Sequence, residues 1–197
     1  MRFKLLINSQ TDTVGCETQA SLDEQSCRSF DVATFLPHVT RVAESAERLG
    51  AVDEDVILLL NEGDRLQGGG VLAALSRLFA DDKLLLTHSI ALSEATGEVF
   101  GERPRSLVER VIRPSRTLAK LLPCLLTFRY GLLKKVRAQE TLRSTGDPSP
   151  WHASLFLELL QAAGSQAVHI PRAMLVTRQE ACRFKDRGAQ FPKNAKL

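Results

Sequence analysis

The sequence has few aromatic residues, and this scarcity limits what the protein can bind. Aromatic residues make up 6% of the 197 residues, with one Trp and one Tyr among them. A protein that binds single-stranded nucleic acid by stacking bases on aromatic rings needs more of them. We therefore do not expect a nucleic-acid partner.

Cysteine motifs for metal binding or redox chemistry are also absent from the sequence. The chain has four scattered cysteines, Cys16, Cys27, Cys124 and Cys182. They form no CxxC pair, and no His stands at zinc-finger spacing from them. We expect reduced and mostly buried thiols.

Long hydrophobic runs are missing as well. The longest apolar stretch, residues 118–126, is interrupted by Lys120 and Pro123, and it is far shorter than the roughly 20 residues that span a bilayer. The apolar run at residues 3–7 is too short for the core of a signal peptide. These features predict a cytoplasmic protein.

The charges are divided unevenly along the chain. Residues 1–102 carry 8 Lys or Arg and 17 Asp or Glu, a net charge of −9, whereas residues 103–197 carry 18 and 6, a net charge of +12. A basic half suits anionic partners such as nucleotide phosphates, although a solvated surface explains such an imbalance equally well. Residues 103–143 interleave Leu and Phe with Lys and Arg, a pattern compatible with peripheral contact at the inner face of an anionic membrane.

Hydrophobic periodicity predicts an α/β protein. Short apolar runs bounded by polar residues predict strands at 3–7, 30–35, 55–60 and 83–89, followed by two brief strands at 167–170 and 173–176. Helical spacing predicts helices at 17–25, 39–49, 71–79 and 151–163, with basic helical pieces within 107–136. This alternation indicates a three-layer α/β/α fold with a mostly parallel central sheet. We expect one domain over residues 1–178 and a basic tail over 179–197.

Carboxylates follow the strand predicted at 55–60. Residues 60–66 read Leu-Asn-Glu-Gly-Asp-Arg-Leu, and an open α/β sheet places its ligand site at the carboxyl ends of its strands. Asn61, Glu62 and Asp64 offer oxygen ligands for a divalent cation that could bridge two phosphates of a nucleotide. Alternatively, this is an ordinary turn in which Asp64 caps the next helix.

Several segments, in order, resemble the family 2 glycosyltransferases of the GT-A fold. Residues 4–8 are similar to the family's first strand, and 17–26 and 41–46 are similar to its early helices. Residues 60–66 resemble its Leu-Asp-x-x-Asp-x-Leu turn. Residues 123–133, 151–164 and 170–178 resemble its Phe-Arg segment, its acceptor-side helix and its last strand. The resemblance covers most of residues 3–178.

This resemblance implies transfer of a sugar from a nucleotide-sugar donor to a saccharide or lipid-linked acceptor of a cell-surface polysaccharide. It implies a Mg²⁺ or Mn²⁺ ion held mainly by Asp64, with help from Glu62. The donor-binding positions that it implies are Asn8, Asn61, Arg129 and Arg178. For the two arginines, ion pairs that only support the structure are the competing interpretation.

The sequence departs from the family in three places. Asn61 replaces the first Asp of the metal turn, and residues 31–37 run directly into a helix, so a strand–helix element of the nucleotide half is expected to be missing. At the acceptor helix, His152-Ala153 replaces an acidic pair, which leaves His152 or the upstream Asp147 as the candidate catalytic base. The alternative function is therefore a degenerate GT-A-like module that binds a nucleotide or a partner.

Overall fold

The computed structural model describes residues 1–9, 11, 13–36, 39–101, 124–140 and 151–178. For residues 39–41, 137–140 and 151–154 it describes the backbone. Asp147, the 179–197 tail and most of the basic 103–143 segment lie outside the described residues.

Eight strands, five α-helices and one short 3-10 helix (Gly164–Gln166) make up this part of the chain. The strands are β1 (Phe3–Asn8), β2 (Phe30–Phe35), β3 (Val56–Asn61), β4 (Arg65–Leu66), β5 (Leu86–Ser93), β6 (Val99–Phe100), β7 (Leu126–Arg129) and β8 (Ala167–Thr177). The helices are α1 (Cys16–Asp23), α2 (Val39–Arg48), α3 (Val71–Leu78), α4 (Tyr130–Glu140) and α5 (Trp151–Ala163). None of the helices among the described residues is long and apolar enough to cross a membrane.

All eight strands belong to one sheet, in the order β2-β1-β3-β7-β5-β8-β4, with β6 paired to β5. The three longest pairings, β1 with β2, β1 with β3 and β5 with β8, are parallel. Strand β7 lies between β3 and β5 and is antiparallel to both. The prediction of a mostly parallel central sheet is confirmed, and the sheet is mixed at its centre.

Two buried clusters cover the two faces of the sheet and confirm the three layers. Alternate residues of a strand point to opposite faces, so Ile57 and Leu59 pack towards α2, α4 and α5, whereas Val56, Leu58 and Leu60 pack towards α1 and α3. The apolar stripe of α2, predicted from spacing, supplies Val42, Ala43 and Ala46 to the first cluster. Each helix therefore buries its apolar side against the sheet.

Two local predictions were wrong. Part of the segment expected to be helical forms strand β7 instead, because Leu126, Thr127 and Phe128 pair in register with both β3 and β5. The two brief strands expected near residue 170 are one strand, β8, whose register against β5 shifts where Pro171 and Arg172 are skipped.

The strand predicted at 83–89 begins later, at Leu86. A turn precedes it, in which the backbone N–H groups of Lys83 and Leu84 donate to the side chain and the carbonyl of Asp81. Backbone groups that bond within a turn are not available to the sheet, so the strand is displaced towards its carboxyl end.

The prediction of mostly buried cysteines is partly corrected. Cys16, Cys27 and Cys124 are free thiols, but Cys16 is exposed.

His88 and His169 are 81 positions apart in the sequence but lie side by side on β5 and β8, with their Nδ1 atoms 3.4 Å apart. The rings of His88 and Phe156 pack in an edge-to-face arrangement.

Candidate functional site

Two asparagines mark the carboxyl ends of neighbouring parallel strands. Asn8 ends β1 and Asn61 ends β3, and the two are directly opposite each other in the register. The side-chain amide of Asn8 donates to Oδ1 of Asn61 over 3.0 Å. Both residues are half-buried, so their remaining polar atoms can face a ligand at the edge where an α/β sheet binds one.

The turn after β3 is closed by Asp64. Its Oδ2 atom accepts hydrogen bonds from the backbone N–H of Asn61 at 2.9 Å and from the Asn61 side-chain amide at 3.0 Å. The Asp64 N–H in turn donates to the carbonyl of Asn61. Asp64 therefore fixes the turn itself and does not cap a helix, because α3 begins later, at Val71.

Asp64 is 1% exposed. Burial raises its pKa above the ordinary value, because a low-dielectric environment disfavours the charged form, while hydrogen bonds from Thr177 and Asn61 act in the opposite direction. Thr177 is the last residue of β8, so this carboxyl group ties the turn after β3 to the end of β8.

Glu62 is the exposed carboxylate of the turn. Its Oε2 atom accepts a hydrogen bond from the hydroxyl of the buried Ser9 at 2.8 Å, and its backbone N–H donates to the carbonyl of Asn8. Glu62 is thus held at the junction of β1 and β3, with its carboxylate facing solvent.

These residues do not fit a divalent cation held by Asp64. Asp64 is buried, and its Oδ2 atom already accepts two hydrogen bonds from Asn61 within the turn. Within the described ranges, no three His, Cys, Asp or Glu side chains come together in a group that could hold a metal. The geometry therefore does not support Asp64 and Glu62 as a ligand pair.

Arg178 reaches this same edge of the sheet, although it is distant in sequence. It directly follows β8, and its aliphatic stem lies over Gly63, where a Cβ atom would be 3.2 Å from Cδ of Arg178. Its guanidinium forms ion pairs with Glu17 of α1 and with Glu94, which follows β5. The structure thus brings Asn8, Asn61, Glu62, Asp64 and Arg178 together.

Arg129 lies at the opposite edge, which corrects its assignment to the donor site. It pairs with Val56, the first residue of β3, and it is 7% exposed. Its guanidinium donates to the backbone carbonyls of Leu84, Phe79, Asp81 and Glu54 over 2.8–3.2 Å. Four carbonyls occupy its donors, so Arg129 holds loops together at the amino end of β3.

The two candidate bases are not located by the structure. Asp147 lies outside the described residues, and His152 lies in the first turn of α5, where the structure describes the backbone alone. Both remain predictions.

Sequence reasoning missed Glu17 and Glu94, which pair with Arg178 at this edge, and Arg65, which pairs with Glu94. Glu94 pairs with both Arg65 and Arg178. A local signal for these partners does not exist, because the Glu17–Arg178 pair joins residues 161 positions apart.

Comparison with known proteins bears on the fold. No protein-family model and no curated protein matches the sequence. The structure is similar to that of S. aureus TarS 1–349, with a TM-score of 0.57, 12% identity and coverage of 90% of this chain and 60% of the TarS chain. A second TarS structure gives a TM-score of 0.51 and 14% identity, over 90% of this chain and 36% of TarS. TarS is a family 2 glycosyltransferase.

The chain has a GT-A-like fold. At 12–14% identity the likeness concerns the arrangement of the backbone. The chain also spans less than two thirds of the TarS chains that it matches. Within this GT-A-like fold, the asparagine pair and the closed turn stand at the carboxyl ends of β1 and β3, where open α/β sheets bind their ligands.

Proposed function

We propose that this GT-A-like chain is a glycosyltransferase that binds a nucleotide-sugar donor at the carboxyl ends of β1 and β3. The observation that supports the proposal is the Asn8–Asn61 pair beside the turn closed by Asp64, with Arg178 at its rim. The amides and the Glu62 carboxylate can hydrogen-bond the hydroxyls of a nucleoside or a sugar, and the guanidinium can meet a diphosphate.

In the proposed reaction, the sugar moves to a hydroxyl of a saccharide or lipid-linked acceptor of a cell-surface polysaccharide. A general base must take the proton of that hydroxyl. Asp147 and His152 are the candidates. Asp147 precedes the helix that resembles the acceptor-side helix of family 2 enzymes, and His152 lies in the first turn of that helix. Donor binding is proposed to be independent of Mn²⁺, because Asp64 is buried and already bonded within its turn.

Calorimetric titration with UDP, GDP, CMP and dTDP, each with Mn²⁺ and with EDTA, tests the proposal. We expect one nucleotide to bind with similar affinity in both conditions. In the variant Asn8→Ala, loss of one hydrogen-bonding amide should weaken binding about 3- to 10-fold. Gln161→Ala, which removes an exposed amide from α5, is the matched control and should bind like the wild type.

Absence of binding by any nucleotide to the folded wild type would refute the donor site. Strict dependence on Mn²⁺ would refute the metal-independent form of the proposal and would require Asp64 to leave its buried position.

A second candidate function is a degenerate module that binds a nucleotide or a partner without catalysis. The buried Asp64 and the ion-paired Arg178 favour it, because both groups are engaged within the protein. Incubation with the nucleotide sugar of the tightest-binding nucleotide and a panel of saccharide and lipid-linked acceptors separates the candidates: release of the free nucleotide as the sugar moves to an acceptor hydroxyl or to water indicates an enzyme, and binding without release indicates a module.

A further inference from the structure

Four side chains of alternating charge form a row of ion pairs at the rim of the candidate site: Glu17, Arg178, Glu94 and Arg65. Arg178 pairs with Glu17, and its Nε atom lies 3.4 Å from Oε2 of Glu94. Glu94 also pairs with Arg65. These side chains are about one third to more than one half exposed, at 34–58%, so their pairs are open to water and to dissolved anions.

Hydrogen bonds connect these ion pairs to the turn after β3. The N–H of Glu94 donates to the carbonyl of Thr177, and the Thr177 side chain bonds to the carboxyl group of Asp64. At the start of α1, a Cβ atom on Gly15 would lie 3.6 Å from Cγ of Glu62. Glu17 therefore lies two positions after Gly15, which approaches Glu62, and Arg178 directly follows Thr177, which bonds to Asp64.

The Glu17 carboxylate is incompletely satisfied in its pair with Arg178. Its Oε1 atom contacts the guanidinium, but its Oε2 atom is buried and has no hydrogen-bond partner. A buried acceptor without a donor is unfavourable, and an exposed ion pair contributes little to offset it. A better acceptor for the Arg178 guanidinium can therefore displace Glu17 from it.

A phosphate group is such an acceptor. A guanidinium forms the same two-pronged hydrogen bonds with phosphate oxygens as with a carboxylate. Carboxylates that pair with Arg178 therefore compete with any diphosphate that approaches the rim, and they also repel it.

We propose that Glu17 occupies Arg178 in the free protein and is displaced from it by the diphosphate of the donor. Glu17 then sets the affinity of the site for diphosphates, although it does not contact the donor itself. Glu94, which is shared with Arg65, keeps the guanidinium at the rim during the exchange. This inference rests on the proposed donor site.

The test compares inorganic pyrophosphate and UDP as ligands for five proteins: wild type, Glu17→Gln, Arg178→Gln, the double variant, and Glu24→Gln. Glu24 is exposed at the far end of α1, so its variant removes the same charge without touching Arg178. We expect Glu17→Gln to tighten pyrophosphate binding about two- to five-fold, the gain from removing one exposed competing ion pair. Arg178→Gln should weaken it, and the double variant should show no gain over Arg178→Gln.

Equal affinities for Glu17→Gln and Glu24→Gln, or a gain that persists in the double variant, would overturn the inference. So would a wild-type protein that binds UDP but shows no effect of Arg178→Gln, and in that case the proposed function would stand. If pyrophosphate shows the expected pattern but UDP binds no more tightly than pyrophosphate, the displacement of Glu17 is supported and the nucleotide site is refuted. Binding of neither ligand would refute both.

Discussion

Gly63 and Arg178 lie in direct contact, and the contact depends on the absence of a side chain at residue 63. A Cβ atom there would stand 3.2 Å from Cδ of Arg178, and the φ angle of Gly63 is +85°. The backbone conformation therefore favours glycine at this position, and a Cβ atom would also oblige the exposed Arg178 stem to shift by a few tenths of an ångström.

The variant Gly63→Ala separates these two effects when it is compared with Gly97→Ala. Gly97 has a similar φ of +71°, but nothing lies within 4 Å of its Cβ position. Each variant should lose about 1–2 kcal/mol of unfolding free energy in urea, from the left-handed conformation alone. Only Gly63→Ala should also change nucleotide affinity, because it displaces Arg178. Equal effects of the two variants on binding would contradict this reading of the contact.

Arg129 is expected to contribute to stability and not to binding. In Arg129→Met, four backbone carbonyls lose a charged donor, so urea denaturation should show a loss of about 2–3 kcal/mol, the cost of leaving buried acceptors without a partner. Arg178→Met, at an exposed position, is the control and should change the unfolding free energy by less than about 1 kcal/mol. If the Arg129→Met protein were stable but had lost nucleotide binding, Arg129 would have to be assigned to the donor site after all.

Lys4 and Asp31 should make stability depend on pH. The ammonium of the buried Lys4 donates to Asp31 at 2.7 Å, and this hydrogen bond holds the pKa of Asp31 below its ordinary value of 3.8. Because the folded state depresses this pKa, the stabilisation is complete above pH 3.8 and is lost as the pH falls through the folded-state value.

The variant Lys4→Met tests this pair. It should be less stable than the wild type at pH 7, and the difference in unfolding free energy should shrink below pH 3.8, where the wild type also loses the pair. A carboxyl ¹³C titration should show a higher pKa for Asp31 in the variant. An unchanged Asp31 pKa would rule out the hydrogen bond from Lys4 as the cause.

The cysteines should differ widely in reactivity. Burial raises the pKa of the Cys124 thiol to about 12, so almost none of it is thiolate at pH 8, whereas Cys16 is exposed at the start of α1. Only the thiolate reacts with iodoacetamide. Peptide mapping by mass spectrometry should find Cys16 modified first and Cys124 modified only after unfolding in urea. Rapid modification of Cys124 in the folded protein would contradict its burial.

The apolar pattern of the chain was sufficient to predict the layers and most of the elements. Strand β3 is a continuous apolar run, and helix α2 has a clear apolar stripe, so burial on the sheet could be read from each segment alone. The turn at 61–64 was also identifiable as the end of a buried strand. Its full set of hydrogen bonds was not, because one partner of the Asp64 carboxyl group is Thr177 at the end of β8, far away in sequence.

The two arginines show where local sequence stops being informative. Arg129 and Arg178 each stand at the carboxyl end of a strand, and the sequence alone assigned both to the donor site. Strand β7 is antiparallel to β3, which places Arg129 at the amino end of β3, whereas β5 and β8 run in the same direction as β3 and place Arg178 at the same end of the sheet as Asn61. The residue type and the strand could be read from the sequence, because they depend on near neighbours along the chain. The edge at which each guanidinium lies was decided by strand direction, which is set by pairing between distant segments.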